Sequence, residues 1–274
     1  MFYVVFFASK RNMENKELNC AIYVVHALHG YEVHEQRIKT LFKEHQLDFE
    51  FVTDGDVSLF TDEILSKYFT PSFKAFPKKG ALSCTLNHIL SYEKFLQTDY
   101  PFAIIFENDP YFLPDFHKKL LRILAEAKTL PPGFIVSLEN TTLTFPGFFQ
   151  MRRNQCLYRA KKGRMAGAYL IDRVGAQKAL ADLQIRKCGD IIDWWHNSLI
   201  ENKVIRMYWA QPAISEQGSH NGLLHGSIST RQKSTKRRIN WLLQKFYKSY
   251  IRRIFPSLDL ISKRKAKKID EGTC

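Results

Sequence analysis

The chain has 274 residues, of which 45% are hydrophobic and 25% are charged, and its formal net charge at pH 7 is +14. This composition is typical of a globular enzyme, and no apolar run is long enough to predict a membrane-spanning helix. Residues 231–274 contain 14 Lys or Arg and 3 Asp or Glu, a balance of +11, which leaves +3 for residues 1–230. The basic charge therefore belongs to a C-terminal segment, and we expect no nucleic-acid partner.

The N-terminal segment and the cysteines indicate the compartment. The apolar run at residues 2–8 is short and is followed, not preceded, by basic residues, which is a poor pattern for a signal peptide. We interpret residues 1–20 as an N-terminal extension or an edge strand. The five cysteines are odd in number and scattered without a C-x-x-C pair: Cys20, Cys84, Cys156, Cys188 and Cys274. Such a pattern favours reduced thiols in a cytoplasmic protein.

Residues 21–230 alternate between short apolar runs and helix-period segments, which predicts one α/β domain with a mostly parallel central sheet. Its opening, a strand at 21–25, a helix at 34–45 and a strand at 49–52, is typical of nucleotide-binding domains. There is no G-x-G-x-x-G and no P-loop, which argues against dinucleotide and ATP-type phosphate sites. The later predicted elements are a helix at 80–97, a strand at 102–109, helices at 112–127 and 190–202, strands at 133–138 and 206–210, a strand and helix within 166–183, and irregular segments at 139–160 and 211–230.

The strand at 102–109 carries the most informative motif. Five apolar residues with a β-branched centre predict a strand buried on both faces, and it ends at Glu107, Asn108 and Asp109. Ligands gather at the carboxyl ends of strands in open α/β sheets, and hard divalent cations prefer oxygen ligands. We therefore predict an E-x-D metal site for a sugar nucleotide. The alternative is a strand followed by an acidic turn, because Asn-Asp-Pro favours turns without any ligand.

Several blocks, taken in order, resemble the family 25 glycosyltransferases, which include bacterial lipooligosaccharide galactosyltransferases and collagen galactosyltransferases. Residues 80–88, G-A-L-S-C-T-L-N-H, are similar to the family signature G-E-I-G-C-A-L-S-H. Residues 104–109 stand where the family has I-I-L-E-D-D, and residues 167–171, G-A-Y-L-I, resemble a later block. Asp193 falls on a family Asp, whereas Asn108 departs from the usual Asp.

The resemblance implies a GT-A-like fold that binds a nucleotide sugar. The implied reaction is an inverting transfer of a hexose, galactose from UDP-galactose, to a lipooligosaccharide or lipopolysaccharide acceptor. A divalent metal, Mn²⁺ or alternatively Mg²⁺, would assist. The same resemblance implies a bacterial enzyme that is cytoplasmic and peripheral at the inner membrane. The competing hypothesis is a catalytically inactive sugar-binding or scaffold protein with the same fold.

The acidic candidate residues have two predicted roles, metal binding and general-base catalysis. We assign Asp109 and Glu107 to the metal, although Glu107 could instead orient the loop or bind ribose. Inverting transfer needs a carboxylate near the acceptor hydroxyl, and we assign this to Asp193. In this hypothesis Asp190 is the N-cap of the helix, and the alternative for Asp193 is to stabilise the first turn.

The remaining donor-binding candidates have structural alternatives. His88 could contact the donor or the metal loop, or could be a satisfied buried histidine. Arg37 and Lys79 could meet the diphosphate, or could be solvated, and Asp54 belongs to the N-terminal block of the resemblance. Of the adjacent pair at 194–195, one tryptophan could stack on an acceptor sugar while the other enters the core.

The basic segment 231–274 has apolar residues at helical spacing: Ile239, Leu242, Leu243, Phe246, Tyr250 and Ile254. Basic residues occupy the opposite side. Such a helix suits an anionic membrane surface, and we predict that it binds there and is dispensable for chemistry. The alternative is a helix packed on the catalytic domain.

Overall fold

The computed structural model describes residues 18–141, 146–163, 166–224, 235–252 and 254. Most of the predicted N-terminal extension therefore lies outside the described residues, as does the part of the basic segment beyond residue 254. Among the helices of the described part, none is long and apolar enough to cross a membrane.

The strands form one large sheet and one small ribbon. Their bounds are β1 Cys20–Val25, β2 Glu50–Val52, β3 Phe102–Phe106, β4 Pro110–Phe112, β5 Phe134–Ser137, β6 Leu157–Ala160, β7 Ala168–Asp172, β8 Arg206–Ala210 and β9 Ser215–Gln217. The large sheet has seven strands in the order β2-β1-β3-β7-β5-β8-β6, and β4 pairs with β9. Strand β1 is parallel to β2 and β3, and β5 is parallel to β8, whereas β7 and β6 are antiparallel to their neighbours. The sheet is thus mixed and mostly parallel, as predicted.

The helices cover both faces of this sheet. Their bounds are α1 Glu32–Glu44, α2 Asp62–Tyr68, α3 Pro71–Lys74, α4 Lys79–Leu96, α5 Phe116–Ala127, α6 Arg173–Arg186, α7 Ile192–Glu201, α8 Gly218–Asn221 and α9 Thr235–Phe246. Short 3₁₀ turns occur at Val57–Leu59 and Phe148–Gln150, and a π-helical segment, Tyr247–Arg252, follows α9.

Strand β3 shows why the sheet needs helices on both sides. Ile105 faces the core formed with α4, and Phe106 faces the core that contains Phe42 of α1 and Leu120 of α5. Every residue of β3 is buried. The continuous apolar run predicted this two-sided burial, because alternate side chains of a strand point to opposite faces.

Three local predictions were wrong, each in a segment where tertiary pairing decides the structure. Phe112, predicted to begin a helix, is instead the last residue of β4, and α5 begins only at Phe116, after Asp115 in a left-handed conformation (φ 59°). Residues 157–160, predicted as irregular, form β6 at the edge beside β8. The predicted loop after residue 211 contains β9 and α8. These short segments have weak patterns of their own and depend on backbone partners distant in sequence.

Candidate active site at the end of strand β3

Glu107 follows β3 directly and turns towards the interior. Its Oε2 accepts a hydrogen bond of 2.7 Å from Gln217 Nε2. Its Oε1 lies 3.8 Å from Cys84 Sγ and 3.7 Å from His88 Nε2. Although 23% of the side chain stays accessible, desolvation by the surrounding protein, together with the neighbouring charge of Asp109, raises the pKa of Glu107 to about 8.

Asp109 is placed differently, in the turn between β3 and β4. It is 2% exposed, and its Oδ2 accepts a 2.9 Å hydrogen bond from the Ser219 amide. Its backbone carbonyl accepts a further bond of 2.8 Å from Gly218 N. Its Oδ1 is buried and has no hydrogen-bond partner among the described residues. A buried, unpaired carboxylate oxygen is costly, and a bound cation would satisfy it.

Gly167 allows the Gln217 side chain to pack closely beside Glu107. Its carbonyl accepts a 2.9 Å hydrogen bond from Glu107 N. A Cβ at this position would lie 2.2 Å from Gln217 Nε2, the atom that holds Glu107. The glycine at the start of this block is therefore required for close approach, not for a turn.

Helix α4 supplies the floor of the site through Cys84 and His88, which lie on one face because they are four residues apart. His88 is fully buried, and its Nδ1 lies 2.9 Å from the Tyr169 hydroxyl. Tyr169 bonds to Tyr92, and Tyr92 to His196 Nε2 at 2.6 Å. Burial lowers the pKa of His88 to about 3, so the ring is neutral. His88 thus lies against the turn at residues 107–109, which we call the acidic loop. A contact between His88 and the nucleotide-sugar donor stays a prediction.

Two acidic residues of this region were missed by the sequence analysis. Glu139 follows β5, which ends at the same edge of the sheet as β3, and neither of its carboxylate oxygens has a hydrogen-bond partner among the described residues. Burial and the charges of Glu107, Asp193 and Asp109 raise the pKa of Glu139 well above its usual value. The rule that selected Glu107, a carboxylate after a buried strand, would also have selected Glu139. Glu216 in β9 had no comparable signal, since its strand was not predicted.

Asp193 lies in the first turn of α7 and is half-buried. Its charge contributes to raising the pKa of Cys84 and of Glu139. The N-cap assignment of Asp190 is wrong. Ile191 occupies that position, and Asp190 Oδ1 accepts from Ile191 N at 2.8 Å.

The reason for this correction is a partner from another helix: Thr85 Oγ1 of α4 accepts the Ile192 amide at 3.1 Å. Of the two adjacent tryptophans, Trp195 is buried and Trp194 is 56% exposed beside Asp193. The expected division between core and surface is confirmed.

The three charged residues that were predicted to bind the nucleotide sugar occupy different places. Arg37 Nη1 donates to the Pro110 carbonyl at 2.8 Å, so Arg37 braces the acidic loop from α1. Asp54 is exposed and pairs with Lys94 at 3.4 Å. Lys79 is exposed at the start of α4. Within the described contacts, neither Asp54 nor Lys79 meets the acidic loop, and their donor-binding roles stay predictions.

Helix α9 docks beside this site through its polar side. Trp241 is 6% exposed, and its Nε1 lies 3.3 Å from Glu216 Oε2. Lys245 Nζ lies 3.3 Å from Glu216 Oε1 and also donates to the Asn140 carbonyl. Lys248 Nζ donates to the Thr141 carbonyl at 2.5 Å. The basic side of the helix therefore contacts the catalytic domain.

The apolar residues of the C-terminal segment point the other way. Six of them form what we call the outer stripe, each between 47% and 62% exposed: Ile239, Leu242, Leu243, Phe246, Tyr250 and Ile254. The two alternatives considered for this helix are therefore not exclusive, since it packs on the domain and still presents an apolar surface.

Comparison with known proteins agrees with the motifs. Residues 21–190 match the sequence profile of glycosyltransferase family 25, described as an LPS biosynthesis protein. No curated protein matches the chain. The matched region contains α4 and the acidic loop, with Cys84, His88, Glu107 and Asp109, and the profile covers more than half of the chain. The chain therefore belongs to glycosyltransferase family 25.

Proposed function

We propose that the protein transfers a hexose, galactose from UDP-galactose, with inversion to a sugar hydroxyl of a lipooligosaccharide or lipopolysaccharide acceptor. Family membership supports glycosyl transfer in LPS biosynthesis. The single observation that carries the proposal is the buried, unpartnered Oδ1 of Asp109 at the carboxyl end of β3. A carboxylate in this position suits the metal–diphosphate end of a nucleotide sugar.

The carboxylate oxygens at this site fit a hard divalent cation such as Mn²⁺ or Mg²⁺. Asp109 is the better placed of the two predicted ligands, because both oxygens of Glu107 already face protein groups. When bound, the metal would neutralise negative charge on the departing diphosphate. The Ser219 and Gly218 amides hold Asp109 in place, and Arg37 holds the loop from the other side.

Asp193 is the proposed base. It is half-buried at the start of α7, next to the exposed ring of Trp194. An acceptor sugar stacked on Trp194 would bring a hydroxyl within reach of the Asp193 carboxylate, which would accept its proton.

The outer stripe supports attachment to the cytoplasmic face of the inner membrane. It is apolar and exposed, and residues 255–274, outside the described part, add further Lys and Arg. Apolar side chains insert at the headgroup boundary, while basic residues are attracted to anionic lipids. Because Lys245 and Lys248 are committed to the domain, the stripe would contribute more than these two charges.

The test is a UDP-release assay across UDP-hexoses, with Mn²⁺, with Mg²⁺ and with EDTA, using a soluble oligosaccharide acceptor. We expect release only with a divalent ion and highest with UDP-galactose. Calorimetry of UDP with and without Mn²⁺ gives a second readout. Tight UDP binding without release from any donor would favour the inactive sugar-binding alternative, and equal UDP affinity in EDTA would remove the metal role.

A further inference from the structure

A compact group of three different ligand types lies beneath the acidic loop. Cys84 Sγ, His88 Nε2 and a carboxylate oxygen of Glu107 all lie within 4.8 Å of one another. Two of the separations are 3.8 Å and 3.7 Å. A tetrahedral zinc ion with bonds of about 2.3 Å to sulfur and about 2.0–2.1 Å to nitrogen or oxygen holds its ligand atoms roughly 3.5 Å apart. Small side-chain movements would therefore bring the three atoms into coordination range.

His88 provides an independent observation that points to a ligand. The ring is fully buried, and its Nε2, which faces Glu107, has no hydrogen-bond partner among the described residues. Its other nitrogen is held by the Tyr169 hydroxyl at 2.9 Å. Metal-binding histidines show this division, with one nitrogen on the ion and the other fixed by a neighbour that sets the ring orientation.

We propose that Cys84, His88 and Glu107 form a metal site of their own, selective for zinc-type ions and distinct from the Asp109 position. Thiolate and imidazole are softer ligands than carboxylate, and they favour Zn²⁺ over Mg²⁺ or Mn²⁺. One thiolate and one carboxylate balance the charge of Zn²⁺, which suits a site with a fully buried histidine. Cys84 and Glu107 are only partly buried, so an ion can enter past them.

Glu107 links this site to the acidic loop. Its Oε1 faces Cys84 and His88, and its Oε2 is held by Gln217. Three protein ligands leave one tetrahedral position to a water molecule. This zinc site is separate from the proposed transfer reaction. Its occupancy can therefore be measured without the nucleotide-sugar donor or the acceptor.

The experiment uses Co²⁺ as a spectroscopic probe in the full-length protein, first stripped with chelator. We expect the sulfur-to-cobalt charge-transfer absorption to saturate with one equivalent of thiolate-bound Co²⁺, and Zn²⁺ to abolish it by displacement. Cys84→Ser should lose the absorption. Cys156→Ser is the matched control, because Cys156 Sγ also lies beside a carboxylate, 2.9 Å from Glu126 Oε2, and should leave the spectrum unchanged.

The wild-type spectrum alone can overturn the proposal, whether or not Cys84→Ser folds. Absence of thiolate–cobalt absorption, or its persistence in a folded Cys84→Ser protein, would exclude the site. Asp109→Asn separates this result from the proposed function. It should retain the cobalt spectrum while losing Mn²⁺-dependent UDP binding, and loss of both would mean a single shared metal position.

Discussion

The acidic site and helix α9 bury charge in opposite ways. In the site, Asp109 and Glu139 keep carboxylate oxygens that no described donor satisfies. In the C-terminal segment, Lys245 of α9 and Lys248 of the π-helical segment that follows are largely buried, and each finds backbone or carboxylate oxygens on the domain. Among the described residues, the first region leaves carboxylate oxygens without hydrogen-bond donors, whereas the second is satisfied by contacts within the chain.

This difference separates ligand binding from docking. Buried polar groups without hydrogen-bond partners lower the stability of the fold unless a ligand supplies those partners, whereas paired groups stabilise it. We therefore expect substitutions in the acidic site to change chemistry more than stability, and substitutions on the inner side of α9 to do the reverse. The predictions below test this contrast, from the largest expected effect to the smallest.

The largest effect is expected for Asp193→Asn. An amide cannot accept the acceptor proton, so kcat should fall about 10²–10⁴-fold, with little change in the donor KM. Steady-state kinetics with a soluble acceptor would measure this. Asp190→Asn, which changes an exposed residue just before α7, should leave kcat nearly unchanged. A loss below tenfold, or an equal loss of stability, would return Asp193 to a role in the helix start.

Asp109→Asn should reduce turnover by about 10²–10³-fold, because one oxygen of the buried carboxylate becomes a neutral NH₂ group. The thermal unfolding midpoint should change little. Asp115→Asn is the matched control, since Asp115 is exposed and Asn tolerates its left-handed conformation. Unchanged turnover in Asp109→Asn would contradict the expectation that substitutions in the acidic site change chemistry.

Glu107→Gln should reveal the cost of the buried carboxylate. A folded-state pKa of about 8 lies above the ordinary value of 4.5, so the folded protein binds the proton more tightly. The stability from this group is complete below pH 4.5 and is lost as the pH rises towards 8, by up to about 1.4 kcal/mol per pH unit. Urea unfolding in chelator should therefore show wild type losing stability relative to Glu107→Gln between pH 5 and pH 8. Parallel pH profiles would contradict the raised pKa.

Lys245→Met should destabilise the protein by about 1–3 kcal/mol, because Glu216 and the Asn140 carbonyl lose a buried donor. Lys236→Met, at an exposed position of the same helix, is the control and should have little effect. Chemical denaturation would measure both. Loss of turnover at full stability would instead mean that α9 supplies a group to the reaction.

The smallest effect on stability is expected for the double substitution Leu243→Ser with Phe246→Ser, within about 0.5 kcal/mol, since both side chains are exposed. Turnover on a soluble acceptor should also persist. Binding to vesicles that contain an anionic phospholipid should weaken several-fold in a sedimentation assay, whereas Lys245→Met should keep it. Unchanged vesicle binding would exclude the outer stripe as the membrane contact.

The expectation that the C-terminal segment is dispensable for chemistry stays a prediction, and the contacts of β9 bear on it. Glu216 and Gln217 are neighbours in β9, and Gln217 holds Glu107 while Glu216 receives Lys245 and Trp241. Removing α9 would therefore loosen the strand that supports the acidic loop. The amphipathic pattern predicted the helix and its stripe correctly, but it did not predict which side would face the domain.

Local patterns were sufficient where an element carries its own signal. The apolar run of β3 predicted a strand buried on both faces, and the carboxylates after it marked the edge where the site lies. The spacing of Cys84 and His88 places them on one face of α4, but Tyr169, whose hydroxyl holds the His88 ring, comes from β7, a distant element. Strand β9 was missed because it consists of three residues that are ordered by pairing with β4.

The sequence by itself determined the family, the mostly parallel sheet and the acidic end of β3, because periodicity and motif order act over short stretches of chain. Only the tertiary structure decided that Glu139 joins this edge, that Thr85 caps α7 and that Lys245 and Lys248 turn inward. The physical reason is the pairing of buried polar groups. The backbone carbonyls of Asn140 and Thr141 accept hydrogen bonds from Lys245 and Lys248, and these contacts leave the apolar residues of the outer stripe facing solvent.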